Sequence, residues 1–312
     1  MLENLKCKYQ YVKTNSNYIF SVTKDAVFSV FTIIGFISLF ISFPELIMDL
    51  CMAYPCLNKT VVGLVIFIFI VLSAFFKQII FVLGNKRIKL LNLNGGNGVY
   101  VQYGDIFSKN EVFEPDKKRI VVIAVNRCFD TIIDDDLISS RSLHGIAMQN
   151  LYNNGTYTQN FLNEIIQKQL QGQENLLPTE LSRSDKRKGN LLRYPVGTIV
   201  ELEDDKNNIV YFFLALSKLN HNLKAETNDE EYMLALLRML KYIDSRSQGM
   251  PVVLPLIGGF LSRTGLSEEY ILNEIIQLIK INKRLLHGDV HIVVRNSGKD
   301  SIPIYNFAMK GE

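Results

Sequence analysis

The chain has 312 residues, 48% hydrophobic and 21% charged, with a net charge of +3. The apolar residues crowd into the first quarter, so a membrane segment followed by one soluble domain fits better than a single large domain. The small charge excess gives no footprint for nucleic acid, and cysteines at 7, 51, 56 and 128, without a C-x-x-C pair or a nearby histidine pair, argue against a zinc site.

Residues 1–24 form a polar leading segment containing Lys6, Lys8, Lys13 and Lys24. From Ala26 to Pro44 there is no charge, and at 1.5 Å per residue the run nearly crosses a hydrocarbon core of roughly 30 Å. A second apolar run, Val61 to Phe76, continues past Lys77 to Gly84. Neither run has the polar face of a globular helix, so the expectation is a transmembrane hairpin over 25–84 with spans near 26–44 and 61–83. The long leading segment and the second span argue against a cleaved signal peptide. Basic residues flank the hairpin on both sides, with Lys59 alone between the spans, which orients both chain ends to the cytoplasm of an inner (plasma) membrane. The turn with Cys51 and Cys56 then faces outside, where a disulfide is permitted. Thr32, Gly35, Ser38 and Ser42 form a small-residue stripe suited either to packing within the hairpin or to self-association. Lys77 reaches the headgroups by snorkelling.

Residues 85–97 read as a linker, with a strand-like Ile88 to Leu93 and a glycine-rich turn at Asn94 to Gly98 that lacks the G-K-S/T of a phosphate loop. The soluble domain is expected over 98–312. Strand patterns fall at Val99–Tyr103, Ile120–Val125, Thr198–Leu202, Ile209–Leu216, Val252–Ile257 and Val290–Val294. Helical spacing covers Thr158–Leu170, Asp229–Ile243 and Ser267–Leu286, the last two opening on acidic residues. The alternation predicts a layered α/β domain with a mixed or largely parallel sheet. The basic run Lys186, Arg187, Lys188 reads as a solvated loop.

In such sheets ligands bind at the carboxyl ends of strands. Three strand-end loops answer to that rule: Gly104-Asp105-Ile106, Asn126 to Asp130, and Gly258-Gly259-Phe260-Leu261-Ser262. Adjacent glycines let backbone N–H groups approach a diphosphate, and a strand-end aspartate accepts a hydrogen bond from an exocyclic amine.

Taken in order these residues resemble the macro domain. Gly104-Asp105-Ile106 is similar to its G-D-I-S/T element, whose aspartate recognises adenine, with Phe107 in place of the hydroxyl residue. The stretch IVVIAVN, Ile120 to Asn126, resembles its I-V-N-A-A-N strand and loop and implies a place for Asn126 near the distal ribose. SSRSLHG, Ser139 to Gly145, occupies the first phosphate loop, with Arg141 and His144 where glycines are usual, and PLIGGFLSR, Pro255 to Arg263, occupies the second. The resemblance spans residues 98 to 308 and implies a three-layer α/β/α macro-type fold with a mixed sheet. It implies a ligand site of Asp105, Ile106, Asn126, Ser142, Leu143, His144, Gly145, Gly258, Gly259, Phe260, Leu261 and Ser262. A cationic or hydrogen-bonding Arg141 or His144 would grip a phosphate or a substituent on the distal ribose.

The two spans with a divergent macro domain look like the transmembrane effector family of bacterial Thoeris anti-phage systems. That resemblance implies a receptor for an ADP-ribose-like nucleotide made by a Toll/interleukin-receptor-type NAD-consuming partner enzyme, an effector that damages the lipid bilayer, and a homo-oligomer. It implies no catalytic residue, no metal and no cofactor besides the ADP-ribose derivative. The alternatives are a membrane-tethered ADP-ribosyl hydrolase using Asn126 to orient water, and a protein-interaction module on a passive anchor.

Overall fold

The structure is a computed structural model and describes residues 2–37, 59–155, 157–173, 176–258 and 266–309. The chain divides into two compact units, Met1–Lys86 with Lys299–Lys310, and Arg87–Gly298.

In the first unit, helix α1 spans Leu2–Thr14, α2 Ser16–Ile37 and α3 Lys59–Gly84. Helix α2 therefore starts well before the span expected from 26, and residues 1–24 are largely helical. The ring pairs Phe20–Phe75 at 5.7 Å and Phe31–Phe67 at 5.6 Å run in opposite sequence directions, so α2 and α3 are antiparallel. Both helices are long and apolar enough to cross a membrane, yet only 11% and 6% of their most apolar windows are buried. A helix that is apolar all round and bare of protein suits lipid better than water. Thr32 bonds back to the Phe28 carbonyl at 2.9 Å, and a Cβ on Gly35 would meet nothing within 4 Å among the described residues. Ser38, Ser42, the end of the first span and the Cys51–Cys56 turn lie outside the described residues.

The C-terminal helix Ile304–Met309 belongs to this unit and not to the soluble domain expected to run to 312. Its Tyr305 ring packs 5.1 Å from Tyr18 and 6.2 Å from Phe81, and its hydroxyl donates to the Asn85 carbonyl. Thr14 donates to the Asp300 carbonyl at 3.0 Å.

The second unit opens with β1, Arg87–Asn92, which pairs antiparallel with β2, Gly98–Gly104. The expected linker 85–97 is thus mostly an edge strand and its turn, and the domain boundary moves from 98 to 87. Gly95, at φ +71, takes the left-handed conformation that the turn between them requires. There follow β3 Arg119–Asn126, α4 Leu143–Asn153, α5 Gln159–Gln171, the short pair β4 Thr179–Glu180 and β5 Leu192–Arg193, then β6 Ile199–Asp204, β7 Ile209–Leu219 and β8 Ala225–Glu226. Helix α6 Asp229–Arg246, β9 Val252–Pro255, α7 Glu268–Ile281 and β10 Val290–Arg295 complete it. The main sheet runs β1-β2-β10-β9-β3-β7-β6, with parallel pairing from β2 to β7 and antiparallel edges.

Strand pleating sends alternate side chains to opposite faces, so a strand covered on both sides reads as a continuous apolar run, as β7 does. One face carries Val121, Ile123, Tyr211 and Phe213 against Met148 and Leu151 of α4 and Leu162 and Ile166 of α5. The other faces α6, where Tyr242 meets Phe212 edge-on at 5.3 Å. This is the three-layer α/β/α macro-type architecture with a mixed sheet.

The run Lys186–Lys188 is an exposed loop at Arg187 and Lys188, but not at Lys186. Lys186 is fully buried and pairs with buried Asp130 at 2.6 Å, while Arg187 and Lys188 meet Asp136 and Asp134. Acidic residues at 130–136, remote in sequence, gather the basic run and fix the loop after β3. Removing one partner leaves a charge buried alone, so Lys186→Met should cost about 3–5 kcal/mol in urea unfolding, and the double change Lys186→Met with Asp130→Asn should recover most of it.

Candidate ligand-binding cleft

Parallel strands β2, β10, β9 and β3 end on one edge of the sheet, and a cavity of about 430 Å³ opens there. Its wall is built from Gly104, Asp105 and Ile106 after β2, Pro255 to Gly258 after β9, Val293 and Arg295 of β10, Arg141 to His144 at the start of α4, and Glu268 at the start of α7. The volume lies within the range of small-molecule sites.

Asp105 stands at the exposed end of β2, where its carboxylate accepts from Phe107 N–H at 3.1 Å and its carbonyl from Ser108 N–H at 2.9 Å. The turn is anchored from below: the buried Glu111 carboxylate accepts from Asp105 N–H at 3.4 Å, and Gln102, held by His291 at 3.2 Å, donates to the Glu111 carbonyl at 2.9 Å. A Cβ on Gly104 would strike the Glu111 carboxylate, so the close approach needs glycine here.

Ser142 caps α4, its hydroxyl accepting from Gly145 N–H at 2.9 Å. The N–H groups of Leu143 and His144, one turn too early for an intrahelical partner, are left at the positive end of the helix dipole beside the cavity. Arg141 is exposed at the rim, and Arg295 pairs with Glu268 at 3.0 Å. His144 is buried, tilted against Phe213 at 5.8 Å, and its Nε2 has no hydrogen-bond partner among the described residues. Burial drives its pKa down to about 3. The side chain is therefore neutral, which corrects the cationic role considered for it and leaves Arg141 as the cation of that loop.

Residues 99–295 match the family described as the Thoeris protein ThsA, macro domain. The chain belongs to the ThsA macro-domain family. A Thoeris protein ThsA from Bacillus amyloliquefaciens (strain Y2) is 27% identical over 173 residues, 55% of this chain and 52% of that protein, so the matched region spans about half of that relative. Solved macrodomain mutants of Oceanobacillus iheyensis, one of them with ADPR, are 14% identical, with TM-scores of 0.45 and 0.44 over 72% of this chain and 96% of theirs.

Within this macro domain the structure gathers Asp105, Ile106, Ser142, Leu143, His144 and Gly258 on one cavity. Gly145 lies behind the wall, where a Cβ would strike the Ser139 carbonyl. Asn126 is buried away from the cavity lining, its side-chain carbonyl accepting from Cys128 N–H at 3.0 Å. Gly259, Phe260, Leu261 and Ser262 lie outside the described residues. Sequence reasoning missed Arg295 and Glu268. The lone cation that closes the buried strand Val290 to Val294 was the available signal for the first, and the acidic helix start Glu268-Glu269 for the second.

Because the folded state holds His144 neutral and the unfolded chain protonates it near pH 6.5, its contribution to stability is complete above that pH and declines as pH falls toward 3. In urea titrations between about pH 5.5 and 4, His144→Gln should flatten the fall of unfolding free energy by about 1.4 kcal/mol per pH unit. A slope equal to that of the wild type would contradict a neutral buried imidazole.

Proposed function

We propose that the macro domain is a receptor for an ADP-ribose-like nucleotide and that its occupancy controls the apolar hairpin. The single observation that carries this reading is the composition of the cleft: a strand-end carboxylate, the first residues of helix α4 and the Arg141 and Arg295 cations line one cavity. The carboxylate of Asp105 suits the exocyclic amine of a purine, and the helix start with Arg141 suits a diphosphate. Family membership supports the same class of ligand. A group on the distal ribose would meet the neutral His144 imidazole, a hydrogen-bonding rather than ionic partner.

Binding without turnover is the favoured form. Catalysis needs a held water, and Asn126, the residue considered for that task, spends its carbonyl on the buried turn at Cys128. The output proposed for the hairpin is disruption of the inner membrane in which it sits, both termini cytoplasmic, after assembly of several protomers. The exposed Thr32 and Gly35 face supports close helix approach. The nucleotide is proposed to come from a Toll/interleukin-receptor-type partner that consumes NAD. For binding to drive assembly, it must favour the assembled state over the resting one.

Calorimetry of ADP-ribose with the full chain in nanodiscs tests the receptor. Asp105→Ala removes a hydrogen bond to a charged group and should weaken binding about ten- to a hundredfold, with no product released by either protein. Proteoliposomes should leak dye only with the nucleotide present. Equal affinity in Asp105→Ala, or nucleotide-independent leakage, would contradict the reading.

A further inference from the structure

The main sheet ends at β6, and among the described residues no strand pairs with its outer side. Antiparallel pairing uses alternate residues, so those of β6 that do not bond β7 turn their N–H and C=O groups outward. These are Ile199, Glu201 and Glu203, and each is met by a side chain from the segment before the strand. Gln169 meets Glu201 twice: its amide nitrogen donates to the Glu201 carbonyl at 2.7 Å, and its amide oxygen accepts from the Glu201 N–H at 3.1 Å. Gln173 donates to the Ile199 carbonyl at 2.8 Å, and the Tyr157 hydroxyl donates to the Glu203 carbonyl at 3.1 Å. The two bonds of Gln169 are the pair that a residue of a further antiparallel strand would exchange with Glu201.

Spacing explains the match. Leu162, Ile166 and Leu170 dock α5 on the sheet, and Gln169 borders that stripe. Four helical residues advance about 6 Å and two strand residues about 6.8 Å, so Gln169 and Gln173, four apart at the end of α5, reach Glu201 and Ile199, two apart. A groove of about 630 Å³ lies along this edge, lined by Tyr157, Gln169, Gln173, Glu201, Glu203 and Arg246 among others, so hydrogen bonds and not bulk close it. Charge does not close it either, because Glu201 pairs with Arg246 at 2.9 Å and Glu203 with Lys118 at 2.8 Å. The opposite edge is protected by other means. Strand β1 carries Arg87 and Lys89 and is broken by a register shift between Lys89 and Leu91, both familiar obstacles to strand addition. Strand β6 has an unbroken register and no lysine.

We propose that Gln169, Gln173 and Tyr157 stand in for a missing strand and hold the β6 edge shut against a second copy of this domain. An uncapped edge offers a row of unmatched backbone groups to an identical edge. The capping is independent of the receptor reading and serves it, since an open edge would pair copies whether or not nucleotide is bound.

The test uses the full chain in detergent without nucleotide, followed by hydrogen-exchange mass spectrometry and sedimentation. Gln169→Ala combined with Gln173→Ala should speed exchange of the Glu201 amide about fivefold or more, the worth of one hydrogen bond, with exchange in β7 unchanged. The same variant should self-associate at a concentration lower by about tenfold or more. Adding Glu203→Pro removes an outward N–H and leaves the ladder to β7 intact, so it should restore wild-type association. Unchanged Glu201 exchange would remove the caps and the proposal with them. Faster exchange without added association would show that the edge stays closed unaided, and association that Glu203→Pro does not reverse would place the contact elsewhere; either result overturns the proposal and leaves the receptor reading standing.

Discussion

Parallel pairing of β2 with β10, β10 with β9 and β9 with β3 makes a cleft out of segments scattered from residue 104 to residue 295. Strands running the same way must release their carboxyl ends on one edge, and crossover helices then start from that edge with their N–H groups facing it. The Ser142 cap that begins α4 lies there because the chain has to climb back over the sheet. The gathering of strand ends and a helix start at the cleft is in this sense a property of the topology, and the side chains refine it.

The refinement lies in how polarity is buried beneath the cleft. Glu111, Gln102 and His291 form a hydrogen-bonded cluster below the Asp105 turn, and Lys186 with Asp130 forms a second anchor after β3. A partly satisfied buried network is costly, so each holds its loop in one arrangement and gives the site a defined shape. Where the ligand would sit lie the start of helix α4 and a neutral imidazole nitrogen that has no hydrogen-bond partner among the described residues.

Much of this was legible in the chain. The strands Val99–Tyr103, Ile120–Val125, Ile209–Leu216 and Val290–Val294 are apolar runs whose composition allows little else, and each matches an observed strand to within a few residues. Asp105 and Gly258 line the cavity at positions that strand ends and loop glycines mark locally, while Ser142 and Leu143 come from the resemblance of SSRSLHG to a phosphate loop. What escaped was long-range. Helix α4 has His144, Gly145 and Gln149 in its first two turns and no clean apolar stripe, so only its packing on β3 and β7 reveals it. Lys186 looked solvated because its partner lies 56 residues away, and Asn126 looked like a site residue because sequence does not tell which way a turn aims its amide. The C-terminal helix carries no signal of its place in the first unit for the same reason, since Tyr18, Phe81 and Asn85 meet it only in space.

The most direct measurement is a crystal or cryo-electron-microscopy structure of the full chain with ADP-ribose bound. The account predicts adenine beside the Asp105 carboxylate and the diphosphate on the Leu143 and His144 N–H groups. Nucleotide bound elsewhere on the chain, with this cavity empty, would contradict it.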